Sequence, residues 1–355
     1  MYDIAIIGGG PAGATLARFA GRSHRILLLE KRALDKRSRR GWQKCCGGLV
    51  APDAQKMLAS FGLGLPRSVI LGPQIFAVRT IDRDNSIERY YQRHYINVDR
   101  EEFDRWLESL IPPGVRIEYG TVYKGHEVLE DSVRVFFSKK GSPREERARL
   151  LVGADGASSL VRKIAFPLHP HPARYLAIQE WFAVPRNINY FGAVFDRAIT
   201  DFYSWLIPKE EFLIVGSALS PNANAHGKFA LLKSRLSEYG FDLKRSVRKS
   251  GSLLLRPTTP RQVVTGSGRV GLIGEAAGFI SPTSAEGFSY AFRSALALSE
   301  ALSRGIDSCL DAYCKNSSGL RVNLMLKRLK EPFMYNRVVR KMIMRSGIKS
   351  IDMQV

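Results

Sequence analysis

Residues 3–13 read DIAIIGGGPAG; ATLARFA follows, and residues 24–31 read HRILLLEK. An apolar run enters a glycine turn, a helix-forming segment comes next, and a second apolar run closes the unit. That order predicts strand, turn, helix and strand within about 30 residues. Gly8, Gly10 and Gly13 give the GxGxxG spacing. The first glycine allows the tight turn, the second lets backbone approach a pyrophosphate, and the third lets helix and strand pack closely. Pro11 and Ala12 complete a turn that offers unpaired N–H groups and a helix dipole to negative charge. Glu30 ends the second strand seventeen residues after Gly13, where a carboxylate accepts ribose hydrogen bonds, with Lys31 beside it. The spacing predicts dinucleotide binding.

The chain has 355 residues, 45% of them hydrophobic, enough for a sizeable core in one composite domain or two interleaved ones. No run of about 18 apolar residues predicts a membrane span, and Met1-Tyr2-Asp3 puts no basic region ahead of an apolar one. A cytoplasmic location is expected. Four cysteines are too few for a disulfide framework, and Cys309 and Cys314 lie off the common zinc spacings, so no metal site is expected. The charge is distinctive: 54 Lys plus Arg against 33 Asp plus Glu, a net +21. Such a field steers anionic surfaces and acidic proteins toward the chain. No zinc-finger, RNP-like or helix-turn-helix pattern accompanies it, which favours anionic lipid or an acidic electron-transfer protein over nucleic acid.

Residues 70–97 alternate apolar, aromatic and polar side chains and read as strands. DREEFDRWLESLI reads as an amphipathic helix with Asp99 as N-cap and Phe103, Trp106, Leu107 and Leu110 on its apolar face. Strand signals fill 115–137 and most of 166–255. RVGLIGEAAG at 269–278 is a further strand and small-residue turn before a helix, and the chain past Arg304 reads as helical and basic. The expected fold is an α/β composite with a Rossmann-like dinucleotide-binding domain over 1–70, 96–165 and 259–304. A mainly antiparallel β substrate domain over 71–95 and 166–258 is interleaved with it, and a basic helical region spans 305–355. Within that region, 321–349 mixes large apolar residues with nine Lys or Arg against Glu331. Two arrangements fit: an interfacial helix peripheral on the inner face of the cytoplasmic membrane, or a helical pair packed on the dinucleotide domain.

LVGADGASSLVRK at 151–163 and VGLIGEAAGFISPTSAEGFSYA at 270–291 resemble the second and third signature segments of FAD-dependent oxidoreductases related to the aromatic hydroxylases. KCCGGLVAPDA at 44–54, INVDREEFDRWL at 96–107 and FYSWLIPK at 202–209 narrow the resemblance to the geranylgeranyl reductase family, nearest its bacterial CbrA branch, over almost the whole chain. The chain departs from the family pattern at Glu275, where Asp is usual, at Ile207, which replaces Phe, and at Cys45, where relatives often have proline.

The resemblance implies FAD as cofactor, contacted by the glycine turn and by Asp155, Gly156, Arg162, Gly274, Glu275, Gly278, Gly287 and Phe288. It implies that Arg100 approaches the cofactor from a helix start, and that Cys46, Gly47 and Gly48 lie beside the isoalloxazine with Cys46 facing the reaction cavity. Tyr203 and Trp205, two apart on one strand face, would wall an apolar substrate channel that Phe279 and Phe288 also line. Each reading has a plainer rival: a small residue filling a turn, a solvated arginine, aromatics that merely pack. The implied activity is reduction of an isoprenoid or prenyl-lipid double bond by hydride from reduced flavin. Only one dinucleotide fingerprint is present, so electrons would come from transient NAD(P)H or a ferredoxin-like donor. YSWLIP also resembles a motif of flavin halogenases, which keeps a monooxygenase or halogenase as an alternative. A non-catalytic or electron-carrier flavoprotein of envelope maintenance is the other.

Overall fold

The computed structural model describes residues 1–33, 45–221 and 224–352, so Lys44 of the double-cysteine motif and residues 34–40 of the basic run KRALDKRSRR (31–40) lie outside the described residues. Two sheets organise the chain. In the first, β16 (Val270–Leu272), β9 (Ser142–Gly153), β1 (Tyr2–Ile7), β2 (Ile26–Glu30) and β6 (Arg116–Tyr119) run parallel in that order. β15 (Gly266–Ser267) extends one edge, and β7 (Thr121–Val128) and β8 (Val133–Lys139) continue β9 as an antiparallel meander. Strands covered on both faces read as unbroken apolar runs rather than alternations, which is why IAII and ILLL announce themselves. Helices α1 (Pro11–Ala20) and α6 (Phe288–Leu302) pack together against this sheet and share its core.

The second sheet runs β14 (Ser246–Arg256), β10 (Ala173–Ala183), β13 (Phe212–Leu219), β12 (Ser204–Lys209), β11 (Phe191–Phe195), β4 (Ile75–Asp82) and β5 (Ile87–Asn97), with β3 (Leu49–Val50) joined to β5. All its pairings are antiparallel except β4 with β11. One face, including Leu206 and Val215, packs on Phe229, Leu232 and Leu236 of α5 (Ala225–Glu238). The other carries Tyr175, Trp205 and Ala218, packed with Phe202, Ala285 and Tyr335. Helix α2 (Pro52–Ser60) and α3 (Arg100–Ser109) form a third cluster with Phe292 of α6. The Asp99 carboxylate caps α3 by accepting from the Glu101 and Glu102 amides. The apolar face expected for α3 packs in that cluster through Phe103, Trp106, Leu107 and Leu110, and its polar side is partly enclosed too, since Asp104 and Glu108 are buried as well. A short helix, α4 (Leu160–Ala165), begins within the second signature segment.

The C-terminal region divides between the two sheets. Helix α7 (Cys309–Asn316) and α8 (Ser318–Arg328) contribute Leu310, Tyr313, Leu320 and Leu324 to the first core. Helix α9 (Glu331–Tyr335) and α10 (Arg337–Ser346) lie on the second sheet. Arg340 there donates to both oxygens of Asp82 at 2.7 and 2.9 Å and to Asp84 at 2.9 Å. A final strand, β17 (Ser350–Ile351), pairs with β5. Two ladder residues carry no legible alternation, so the sequence reading of this region as helical to its end misses β17.

Candidate active site

The glycine turn closes as tightly as its spacing predicts. Gly8 adopts φ +103°, and a Cβ there would sit 2.7 Å from the Ala154 carbonyl oxygen; one on Gly13 would sit 1.9 Å from Gly8 O. Gly10 and Pro11 open α1 with no side-chain cap, so first-turn N–H groups remain available to an anion. Ala12 on that turn meets Gly274, whose φ is +58° and whose Cβ would lie 2.9 Å from the Ala12 Cβ. The first and third signature segments therefore touch, and their backbones form one cradle. The groups present suit a dinucleotide pyrophosphate.

Glu30 stands at the end of β2, as expected for a ribose partner. Its carboxylate accepts the Gly9 amide at 2.6 Å and the Arg32 amide at 2.8 Å. Lys31 is exposed beside it. Arg32, which the sequence reading leaves in a basic run, reaches over to Asp104 and Glu108 and also pairs with Glu30. Those carboxylates hold its guanidinium protonated against the opposing effect of burial. Arg100 pairs with Asp104 one turn along and lies 4.9 Å from the Phe288 ring centroid. Arg100, Asp104 and Glu108 recur at four-residue steps on α3, and that stripe was the available signal for a buried polar face.

The second segment serves the protein's own geometry. Asp155 accepts from Ser159 Oγ at 2.5 Å and from the Leu160 amide at 2.8 Å, holding the turn around Gly156 (φ +74°) at the start of α4. Arg162 donates to the carbonyls of Ala276, Pro170 and Gln262, so it ties α4 to the third segment. A Cβ on Gly278 would collide with Gln262 O at 2.7 Å. The Glu275 carboxyl crosses to the substrate sheet and accepts the Leu255 amide at 3.0 Å; burial pushes it up to about 7. Gly287 opens α6 with no side-chain cap. Phe288 packs on Phe103 and Phe292, in the α2–α3 cluster rather than with Tyr203. Phe279 is fully buried in the first core and lines no cavity, which corrects the expectation for it.

The Cys-Gly-Gly loop covers the face of β12 turned away from α5. A Cβ on Gly47 would strike Ile207 Cδ1 at 2.4 Å, and Gly48 takes φ +59° where a Cβ would meet Val98 O at 2.4 Å. Trp205, Ile207 and Lys209 alternate along β12 on that face; Tyr203 just precedes the strand and touches Trp205, ring centroids 5.9 Å apart. The indole lies over Gly216, where a Cβ would be 2.3 Å away, and its Nε1 is buried without an acceptor. An orphaned donor on an aromatic wall fits a bound group with an acceptor atom. Tyr203 donates to Ser284 O at 2.7 Å, and burial pushes its hydroxyl well up. Nearby, Arg93 and the Tyr95 hydroxyl both donate to Glu286, at 2.8 and 3.0 Å, fixing the loop before α6.

Lys209 is the residue that sequence reasoning missed. Only 3% exposed, its Nζ donates to Val98 O at 2.6 Å and Gly48 O at 3.2 Å, clamping the loop that carries Cys46. Burial pushes the amine down to about 7, against the pull of Cys46 and Asp99. Continuing the Tyr203, Trp205 alternation by two more steps reaches it. Cys46 is half-buried beside this amine, while Cys45 turns to β10 and β14, its thiol against Ala177 O and its carbonyl accepting from Ser252. Burial pushes the Cys45 thiol up.

No protein-family model matches the chain. A solved structure of similar shape is a geranylgeranyl bacteriochlorophyll reductase-like protein from Thermoplasma acidophilum, with TM-score 0.79 and 18% identity over 97% of this chain and 90% of that one. The flavin-dependent brominase Bmp2 gives TM-score 0.71 and 17% identity over 97% and 92%. At these identities the likeness establishes the fold alone, an α/β composite shared with that reductase-like protein and with the brominase. Protein CbrA of Shigella sonnei is 40% identical over 350 residues, 99% of this chain and 98% of that protein, and Protein CbrA of Escherichia coli O157:H7 matches to the same extent. With two-fifths of the residues shared along essentially the whole length, the chain belongs to the CbrA family.

Proposed function

We propose that the chain binds FAD and acts as an oxidoreductase that reduces a carbon–carbon double bond of an isoprenoid or prenyl-lipid substrate. The observation that carries this reading is the aromatic and aliphatic stripe Tyr203, Trp205 and Ile207, with the Cys46–Gly47 backbone laid against it. When bound, FAD supplies a hydride from its reduced ring. Gly8, Gly10 and the first turn of α1 would hold its pyrophosphate, Glu30 a ribose, and the Gly274–Gly278 turn the facing wall. Tyr203 and Trp205 orient an apolar chain and exclude water. In this reading the Cys46 thiol, beside Lys209, delivers the proton that the second alkene carbon takes up. NAD(P)H, or an acidic ferredoxin-type protein steered by the +21 charge, supplies the electrons.

The test is an anaerobic titration of the flavin-reconstituted protein with NADPH, NADH and reduced ferredoxin, followed by prenyl lipids as oxidants. Bleaching by a donor, and reoxidation by a geranylgeranyl lipid with gain of two hydrogens in its mass, is the expected result. A C46A variant should bleach normally and reoxidise slowly. Oxygen consumption coupled to hydroxylation or halogenation, with no alkene turnover, would replace this reading with the monooxygenase one.

A further inference from the structure

Helix α8 is apolar on two faces. Leu320 and Leu324 point into the first core, whereas Val322, Leu326 and, just past the helix, Leu329 are 58%, 55% and 69% exposed. They follow one another at helical steps and so form one stripe. Phe333 on α9 is exposed too, and α10 repeats the arrangement, with Arg340 and Met344 inward and Val338 and Met342 outward. Beside the α8 stripe runs a groove of about 930 Å³, lined by Val322, Leu326 and Leu329 together with Arg321, Arg328 and Tyr335. Lys330, Arg345 and Lys349, on the same C-terminal stretch, are exposed as well. The one acid of this stretch, Glu331, faces inward to Arg256 at 3.5 Å.

From this we infer that α8–α10 are the face by which the protein seats on an anionic lipid bilayer, the exposed aliphatic side chains entering the headgroup region and the lysines and arginines meeting lipid phosphate. Aliphatic side chains flanked by long cationic ones suit an interface with fluid acyl chains. Protein–protein interfaces instead exclude lysine and gather aromatic anchors. The face is held rigidly, since Arg340 locks α10 to Asp82 and β17 adds to β5. The groove residue Tyr335 also stacks on Phe202 at 5.3 Å, and Phe202 touches Tyr203, so the face and the aromatic wall are joined by packed rings. Delivery of a prenyl chain from the bilayer to that wall rests on the proposed activity; the docking itself does not.

The experiment is co-sedimentation of the full chain with vesicles of phosphatidylcholine, with and without phosphatidylglycerol. Binding should be stronger with phosphatidylglycerol and weaken as salt rises. L326E/L329E should bind about tenfold or more weakly, because two aliphatic side chains that enter the headgroup region become charged. K330E/R345E/K349E should also lose binding, whereas K140E/R144E/R147E, an equal change of net charge on the β8–β9 hairpin, should stay within about twofold. Equal losses from both triple variants, or wild-type binding by L326E/L329E, would overturn the proposal and leave only the field of the whole molecule. Absence of vesicle binding, together with loss of reduction by an acidic ferredoxin-type donor in K330E/R345E/K349E, would overturn it and give the face to a protein. Vesicle binding is read without flavin, so its failure is distinct from failure of the redox reading.

Discussion

Lys209 permits a test of the site that needs neither substrate nor cofactor. Its amine is buried, bonded to two carbonyls, and pushed down to about 7, whereas a lysine in an unfolded chain titrates near 10.4. Between those values the unfolded chain keeps a proton that the folded one has released. Stability therefore rises with pH across that window by up to about 1.4 kcal/mol per unit, and the contribution is lost as pH falls to 7 and below. Replacing Lys209 with Met removes the titration. It also strips Val98 O of this donor, at about 1–3 kcal/mol if nothing else reaches it, while Gly48 O keeps the Val98 amide at 2.9 Å. That second loss is independent of pH and can be separated. In urea denaturation of the apo protein, the stability of wild type relative to K209M should grow by about 2 to 3 kcal/mol from about pH 7.5 to about pH 9.5. Parallel curves would refute the reasoning: the carbonyls would then hold the amine charged throughout, and hydrogen bonding rather than burial would set its titration.

Glu275 titrates with the opposite sign. Its carboxyl is pushed up to about 7 from 4.5, so the folded state keeps a proton that the unfolded state loses, and stability falls across that range by up to about 1.4 kcal/mol per unit; E275Q should exceed wild type in denaturant midpoint at about pH 8 and equal it near pH 4.5. Valine at Gly13 would place Cβ 1.9 Å from Gly8 O, so G13V should lose flavin absorbance on purification and about 1–3 kcal/mol or more of stability; full flavin retention would disprove the cradle. Removing Arg340 leaves the Asp82 carboxylate buried without its main partner, so R340M should lower stability by about 3–5 kcal/mol, and adding D82N should restore most of it, as thermal melts of the single and double variants would show.

The readable parts of this sequence were those with a period. GxGxxG, the apolar strands and the Asp99 cap each repeat a spacing that local physics demands, and the structure puts them where that spacing says. The site proved harder wherever a residue works through a distant partner. Arg32 looked like one more charge in a basic run until α3 brought Asp104 and Glu108 to it. Arg162 and Asp155 carry a signature associated with flavin contacts, yet their side chains bond to backbone and Ser159 of this chain. Lys209 ended a strand whose aromatics drew attention first. In each case the missing information was tertiary: which carbonyl or carboxylate the fold would set opposite a group whose own sequence context is ordinary.

The charge shows how such pairing changes a number that composition already supplies. Taken as +21, it describes a uniformly basic particle. Among the described residues, however, the acids Glu30, Asp82, Asp104, Glu108, Glu180 and Asp196 are buried, against Arg162, Lys209, Arg256 and Arg340. Folding thus hides six acids and four bases, and the surface is slightly more basic than the sequence. The acids are withdrawn mainly around Arg32, Arg340 and Arg235, where they hold elements together. Lys330, Arg345 and Lys349 stay outside beside exposed aliphatic side chains. A field of this kind acts at long range and is screened by salt, whereas the apolar stripe acts only on contact and is not. Binding to an anionic surface should therefore show two regimes as salt increases: a steep loss while the field is screened, then a residual, salt-insensitive part that disappears in L326E/L329E.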